Sequence, residues 1–378
     1  MNIAYVTAYD ALDIRNWSGT AHMIAKSLQI DGNQLDYIGN LSAHASKSMR
    51  IKKRVYRLLN AGTYDLERHP VVARQYAQQI QGLLNPATDV IFSPGTIPIS
   101  LLEAKAPKAF CTDATFAGMV GFYPEFSHLS QASIAHGNYL ERMALESSQL
   151  AIYSSEWAAN SAIDTYHVSP EKVKVVSFGA NVEGNRNLGE IKSLVANRSK
   201  QECHLLFMGV DWHRKGGDTA LAVAAELNLM GLKTTLHVVG LQHLPLKHVP
   251  DFVVNHGFIS KTTLSGRNKI DRLFFQSHFL LLPTIADCTP VVFSEANAFG
   301  VPCISTNVGG IVTVIKDDVN GKTFSLGASP SSYATYIQSM LSNGRSYEAL
   351  ALSSFNEYES RLNWNVAGKL ISKLLRAL

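Results

Sequence analysis

The sequence predicts an α/β protein built on parallel sheets and divided into two domains. Three observations predict it. An apolar strand over 278–282 leads into LLPTIADCTPVVFSEANAFGVPCI (281–304), read as a loop broken by Pro283 and Pro290, a helix over 291–299 and a strand over 302–305. That order is the βαβ unit of a parallel sheet. A second apolar strand, 203–208, ends in a glycine-rich loop and passes into a helix over 218–230, the step that places ligands at the carboxyl edge of such sheets. Finally, 378 residues suit two domains better than one.

Composition narrows the class. Hydrophobic residues make up 46% and charged residues 17%, which is globular material with ample core and excludes a disordered or collagenous chain. The net charge of +4 mildly favours anionic ligands or an anionic membrane face. Cys111, Cys203, Cys288 and Cys303 lie far apart, so neither a disulfide framework nor a zinc site is expected. No apolar run approaches the ~18 residues of a membrane span, and MNIAYVTAYD lacks a basic leader. The expected location is cytoplasmic, with any membrane contact peripheral.

In chain order, 2–7 is the first strand, 10–18 a polar loop, and Gly19-Thr20 opens a helix to Leu28. Glycine at a helix start lets backbone approach an anion closely, or simply makes a turn. Residues 47–60, KSMRIKKRVYRLLN, form a basic amphipathic helix carrying Lys47, Arg50, Lys52, Lys53, Arg54 and Arg57, with Ile51, Val55, Leu58 and Leu59 on one face. Such a helix lies on an anionic membrane, faces an anionic acceptor, or packs its stripe on the domain and leaves its charges in solvent. A helix over 69–84 and strands over 88–93 and 109–112 follow. Asp113 then stands just past a strand end, where a carboxylate bonds a ligand or caps a turn. It opens an aromatic loop with Phe116, Phe122, Tyr123 and Phe126. A helix over 134–148, a strand over 150–153, a helix started by Ser155 and a strand over 172–177 complete the first half, and the polar stretch 181–201 reads as the linker.

The second half opens with strand 203–208 and Gly209-Val210-Asp211-Trp212-His213-Arg214-Lys215-Gly216-Gly217. Glycines between strand and helix cradle phosphate, and Arg214 and Lys215 add cations suited to a diphosphate; a basic turn is the plainer alternative. Strands at 234–240 and 252–257 precede the opening βαβ unit. Asp287 sits in its loop and Glu295 eight positions on, inside an apolar helix. A carboxylate there is costly to bury without a partner, and either a ligand supplies one or the residue faces solvent. A strand at 321–324 and helices over 330–341, 346–359 and 364–378 end the chain; Ser329 caps the first, and Val366, Leu370 and Leu374 mark the last one's packing face.

Asp287-x7-Glu295 with Ala296, Gly300 and Pro302 resembles the E-x7-E segment of family-4 retaining glycosyltransferases. Asp287 replaces the first Glu, and Cys288-Thr289-Pro290 replaces the usual Gly-Phe-Gly. Lys215-Gly216, the Gly257-Phe258-Ile259-Ser260 turn, Thr306-x-x-Gly309-Gly310 and Phe178-Gly179-Ala180-Asn181-Val182 resemble further segments of that family in the same order.

The resemblance implies the GT-B arrangement, two doubly wound Rossmann-like domains facing across a cleft. Residues 1–181 plus a C-terminal helix (364–378) crossing back would form the acceptor side, and 182–363 the donor domain. It implies Glu295 on the ribose hydroxyls, Arg214 and Lys215 on the diphosphate, backbone of Phe258 and Ile259 on the base, and Asp287 on a sugar hydroxyl from a position drawn back by roughly 1.5 Å. Donor contact extends over Gly19, Gly209, Cys288, Thr289, Pro290 and Val291. The catalytic candidates are Asp113, Arg214, Lys215 and Asp287. No D-x-D motif occurs, so metal-independent, retaining hexosyl transfer without a cofactor is expected. UDP-glucose is the first candidate donor, and a glycan or lipid-linked oligosaccharide of an envelope polysaccharide the acceptor. An anionic membrane is the partner expected of the basic helix, and nucleic acid is not expected. A nucleotide-sugar epimerase or hydrolase, or a non-catalytic nucleotide-sugar-binding protein, is the alternative.

Overall fold

The computed structural model describes residues 1–184 and 186–378. It divides into two units, Met1–Phe178 with Trp364–Leu378 and Gly179–Asn363. Position 185, within the expected linker, lies outside the described residues.

The first unit runs β1 (Asn2–Val6), α1 (Thr20–Ile30), β2 (Gln34–Ile38), α2 (Lys47–Leu58), α3 (Pro70–Leu83), β3 (Val90–Ser93), β4 (Lys108–Thr112), α4 (Phe116–Met119), α5 (Gln131–Ser147), β5 (Leu150–Tyr153), α6 (Glu156–Tyr166) and β6 (Val173–Val175). The strands form one parallel sheet in the order β2-β1-β3-β4-β5-β6. Ile3 to Val6, Ile91, Phe92 and Phe110 are fully buried, as near-continuous apolar runs are when helices cover both sheet faces. The edge strand β2 was not expected from the sequence; it alternates exposed and half-buried residues before Ile38. Part of the aromatic loop after Asp113 is ordered as α4 and a 3₁₀ turn at Pro124–Phe126.

Helix α2 starts where Ser46 accepts a bond from the Met49 amide. Met49 is the side chain it buries, whereas Ile51 is 60%, Leu58 80% and Leu59 72% exposed. The apolar stripe therefore does not pack on its own unit.

The second unit runs α7 (Leu188–Ala196), β7 (Cys203–Met208), α8 (Gly217–Leu229), β8 (Thr234–Val239), β9 (Val253–Asn255), α9 (Leu264–Gln276), β10 (Phe279–Leu282), α10 (Val291–Asn297), β11 (Cys303–Thr306), α11 (Ile311–Val314), β12 (Gly321–Phe324), α12 (Pro330–Ser342) and α13 (Gly344–Arg361). Its parallel sheet has the order β12-β11-β10-β7-β8-β9. The expected linker is corrected here. Asn187 and Glu190 form a capping box that starts α7, and Ile191 and Val195 enter the core. Arg198, just beyond, is buried and bonds to the carbonyls of Gly300 (2.7 Å) and Phe299 (2.8 Å) and to the Tyr347 hydroxyl (2.8 Å), closing the C-terminal end of the α10 segment.

Helix α14 (Trp364–Leu375) returns to the first unit and packs on α1. Its packed face is Trp364, Ala367, Gly368, Ile371 and Leu375, while Leu370 is exposed. The expected Val366-Leu370-Leu374 face is thus rotated. The reason is close approach: a Cβ on Gly368 would lie 2.6 Å from the Ser27 Cβ. Asn33 Nδ2 donates to Ser372 Oγ at 2.8 Å, and Arg376 pairs with Asp31 at 2.8 Å.

Candidate active site

Strand order locates the site. In the second unit the chain moves from β7 outward to β8 and β9, then returns to β10 on the other side of β7. Ligands bind beyond the carboxyl ends of strands at such a reversal. The two loops there are 209–216 after β7 and 283–290 after β10, which carry most of the predicted site residues.

Backbone packing fixes the loops against each other. Gly216 has φ +77°, and a Cβ on it would lie 1.9 Å from the Pro283 carbonyl oxygen. Gly240, after β8, has φ +110° and would bring a Cβ within 2.4 Å of the Gly209 carbonyl oxygen. The Arg214 carbonyl accepts bonds from the Ile285 amide and the Thr284 hydroxyl, both at 2.8 Å. Arg214 Nη1 donates to the Ala286 carbonyl at 2.9 Å.

The charges converge on Asp287. Lys215 Nζ donates to its Oδ2 at 2.5 Å, Arg214 Nη1 lies 3.5 Å from the same oxygen, and the Thr284 hydroxyl donates to it at 3.3 Å. Asp287, Cys288, Thr289 and Pro290 are buried, and Val291 is half-buried at the start of α10. Gly209 makes room for Lys215, because a Cβ there would be 2.9 Å from the Lys215 Cγ. Helix α8 begins at the end of the same loop and directs the positive end of its dipole there.

Glu295 is 1% exposed on α10, among Val292, Phe293 and Ala296. The exposed alternative for this acid is set aside. Lys261 Nζ donates to its Oε1 at 2.5 Å. Sequence reasoning missed Lys261; it stands 34 positions away, and no periodicity links the two. Its loop follows the Gly257-Phe258-Ile259 turn, where Gly257 has φ +67° and Phe258 is 65% exposed. Gly309 has φ +54°, and Gly310 precedes the short helix α11.

The remaining predicted residues lie in the first unit, where the reversal falls between β1 and β3. Gly19 caps α1 in the loop after β1, following Trp17 (φ 45°) and Ser18 (φ 54°), so consecutive residues hold the left-handed conformation. Such strain persists only where surroundings impose it, and it concentrates at functional sites. Asp113 is half-buried directly after β4. Burial first, then the Asp113 charge, pushes the Tyr9 hydroxyl up to about 12. Glu141 of α5 is buried and accepts a bond from the Thr96 hydroxyl at 2.7 Å. Burial pushes its carboxyl up to about 7, against the lowering effects of that bond and of Arg68.

Among the described residues, no group of three or more His, Cys, Asp or Glu side chains is arranged to hold a metal ion. No described helix is long and apolar enough to cross a membrane.

Comparison with known proteins matches this geometry. Residues 192–354 match the family model of glycosyl transferases group 1. A Klebsiella pneumoniae relative described as an uncharacterized 41.2 kDa protein in the cps region is 27% identical over 186 residues, covering 48% of this chain and 49% of the relative. A D-inositol 3-phosphate glycosyltransferase of Rhodococcus jostii is 27% identical over 227 residues, 56% of this chain and 48% of the relative. The chain thus spans about half the length of these curated relatives. Among solved structures, a sucrose-phosphate synthase from Thermosynechococcus elongatus superimposes with a TM-score of 0.70 at 14% identity, over 100% of this chain and 98% of that one. Anabaena HepE, solved in complex with UDP-glucose, does so with a TM-score of 0.61 at 14% identity over 100% of both chains. These likenesses show the GT-B fold. The segment 192–354 is thus similar to the group 1 glycosyltransferases, and the whole chain has the GT-B fold.

Proposed function

We propose that the chain is a retaining hexosyltransferase acting on a nucleotide sugar, with UDP-glucose the first candidate donor. The acceptor is a glycan or lipid-linked saccharide of an envelope polysaccharide. One observation carries the reading: Lys215 and Arg214 gather on buried Asp287 at the sheet reversal, and the same loop feeds the helix that buries Glu295. The cps-region description of one relative and the UDP-glucose complex of one structural neighbour support it.

In this reading residues 182–363 bind the donor, and residues 1–181 with 364–378 serve the acceptor. Glu295 accepts the ribose hydroxyls, and the backbone of Phe258 and Ile259 reads the base. Lys215, Arg214 and the start of α8 hold the diphosphate. Asp287 shares its Lys215 contact with the arriving phosphate and takes a sugar hydroxyl, beside Cys288, Thr289, Pro290 and Val291. Gly19 offers its amide to an anion, and Asp113 takes an acceptor or sugar hydroxyl. The bond from the sugar C1 to the diphosphate oxygen breaks, and the acceptor oxygen bonds to C1 on the same face. The acceptor proton passes to the departing phosphate. Fixed cations and amides stabilise the charge that builds there, and neither metal ion nor cofactor takes part.

Helix α2 is the proposed membrane or acceptor contact. Its apolar stripe is exposed between cations, the composition of a helix that lies at an anionic interface. Beside it a cavity of about 920 Å³ is lined by Arg50, Arg54, Arg57, Tyr64 and His128, and Tyr56 stacks on Tyr64 at 5.2 Å.

Calorimetric titration of the wild type and Glu295→Ala with UDP, GDP and ADP tests the donor site. One nucleotide binding to the wild type and at least tenfold more weakly to the variant is the expected result. No binding by any of them overturns the reading.

A further inference from the structure

The Lys261–Glu295 pair has a geometry that nucleotide recognition alone does not require. Glu295 is 1% exposed, whereas the Lys261 side chain is 39% exposed. The ammonium therefore sits on the solvent side of the carboxylate and covers it. Nor does Lys261 stand on a loose loop. Arg267 Nη1 donates to the Lys261 carbonyl at 3.1 Å and to the Thr262 carbonyl at 3.3 Å. The Thr262 amide bonds back to the Ser260 hydroxyl at 3.3 Å, and Thr263 caps α9. Gly266 lets the loop fold onto the first turn of α9, because a Cβ there would lie 1.9 Å from the Ser260 carbonyl oxygen.

We propose that Lys261 is a specificity-determining residue that, together with Glu295, reads a ribose hydroxyl of the nucleotide; this rests on the donor reading above. A hydroxyl both donates and accepts, a carboxylate only accepts and an ammonium only donates. A ribose hydroxyl entering at this pair donates to Glu295 and accepts from an N–H that Lys261 has to spare. A deoxyribose leaves a carboxylate lone pair and an ammonium N–H of this pair unanswered. A site built to hydrogen-bond a hydroxyl rejects the analogue lacking it far more strongly than an apolar pocket rejects a missing methylene.

The experiment is calorimetric titration of the wild type, Lys261→Met, Lys261→Arg and Glu295→Gln. The probes are UDP, GDP or ADP, whichever the wild type binds, and its 2′-deoxy and 2′,3′-dideoxy forms. The wild type prefers the ribonucleotide. Lys261→Met binds it about 10–100-fold more weakly, the scale of a lost charge-assisted hydrogen bond. The methionine variant loses most of the ribose preference. Lys261→Arg restores both affinity and preference in large part. A Lys261→Met protein with wild-type affinity and ribose preference overturns the inference. So does tighter binding, which would make Lys261 a competitor of the nucleotide. Two results separate the inference from the reading beneath it. If Glu295→Gln loses the preference and Lys261→Met keeps it, only the role of Lys261 falls. If Glu295→Gln keeps it, or nothing binds the wild type, the donor assignment falls too.

Discussion

Replacing Lys215 by methionine tests the proposed chemistry most directly. The side chain keeps an unbranched stem, one atom shorter, and loses its charge. In the resting site Asp287 loses its 2.5 Å partner and is left with Arg214 at 3.5 Å and the Thr284 hydroxyl at 3.3 Å. One strong charge-assisted hydrogen bond contributes about 1.5–3 kcal/mol. For a unit of this size that corresponds to a melting temperature lower by roughly 3–12 °C, so the variant remains folded at assay temperature. In the reaction the loss is larger, because the ammonium meets charge that grows as the diphosphate leaves. Removing one preorganised donor of this kind costs about 2.7–4 kcal/mol, or 100–1000-fold in kcat. The assay is transfer of labelled glucose from UDP-glucose, or of the sugar matching the base that calorimetry selects. Thermal unfolding is recorded on the same samples. Lys215→Arg recovers part of the rate, since the charge returns on a wider group. A folded Lys215→Met protein that transfers sugar at the wild-type rate refutes the assignment of this residue and of the loop that holds it.

Further outcomes follow from other sites. Arg198→Met removes bonds to the carbonyls of Gly300 and Phe299 and to Tyr347. Urea unfolding is expected to show a loss of about 3–5 kcal/mol, the scale for stripping a buried charged network of one partner, while the folded fraction keeps its nucleotide affinity. Glu141 has its folded-state carboxyl raised from 4.5 to about 7. Between those values the folded state holds the proton and the unfolded chain has released it, so stability falls as pH rises from about 4.5 to 7 and levels off above. Glu141→Gln flattens that slope in a pH series of unfolding curves and is the more stable protein at pH 8, by up to about 3 kcal/mol. In α2, Lys53→Glu with Arg54→Glu abolishes sedimentation with vesicles rich in phosphatidylglycerol, and Ile51→Ser with Leu58→Ser weakens it at any salt concentration. Wild-type protein that ignores such vesicles removes the membrane as the partner of this helix.

What the sequence disclosed, and what it withheld, follows physical lines. Strands β7 and β5 were legible because buried parallel strands are short apolar runs with clear breaks. The loops after β7 and β10 were legible as charged loops at the carboxyl edge of the sheet because glycine, proline and charge cluster there within a few residues. Helix α7 was hidden in a polar stretch, although Asn187 and Glu190 stand at capping-box spacing and gave a local signal. Strand β2 was hidden because an edge strand with half-exposed side chains carries little apolar pattern. The α14 face was misplaced because small residues, Ala367, Gly368 and Ser372, make the contact while Leu370 points outward. Hydrophobicity alone favours the larger side chain. Lys261 was invisible for a different reason. Its meaning depends on a partner in another element, and only the folded loop between β9 and α9 brings the two together.

The return of α14 to the first unit sets a timetable. Residues 179–363 are one uninterrupted stretch, whereas the unit formed by 1–178 lacks its closing helix until 364–378 exist. At roughly 5–20 residues per second, a ribosome takes on the order of 10–40 s to make the intervening segment. For that time the α1 surface around Ser27 and Asn33 is bare of the helix that will cover it. The half made first is thus finished last. A chain cut off after residue 363 would hold a complete second unit and an open first one, and that open face is where a chaperone would find its grip.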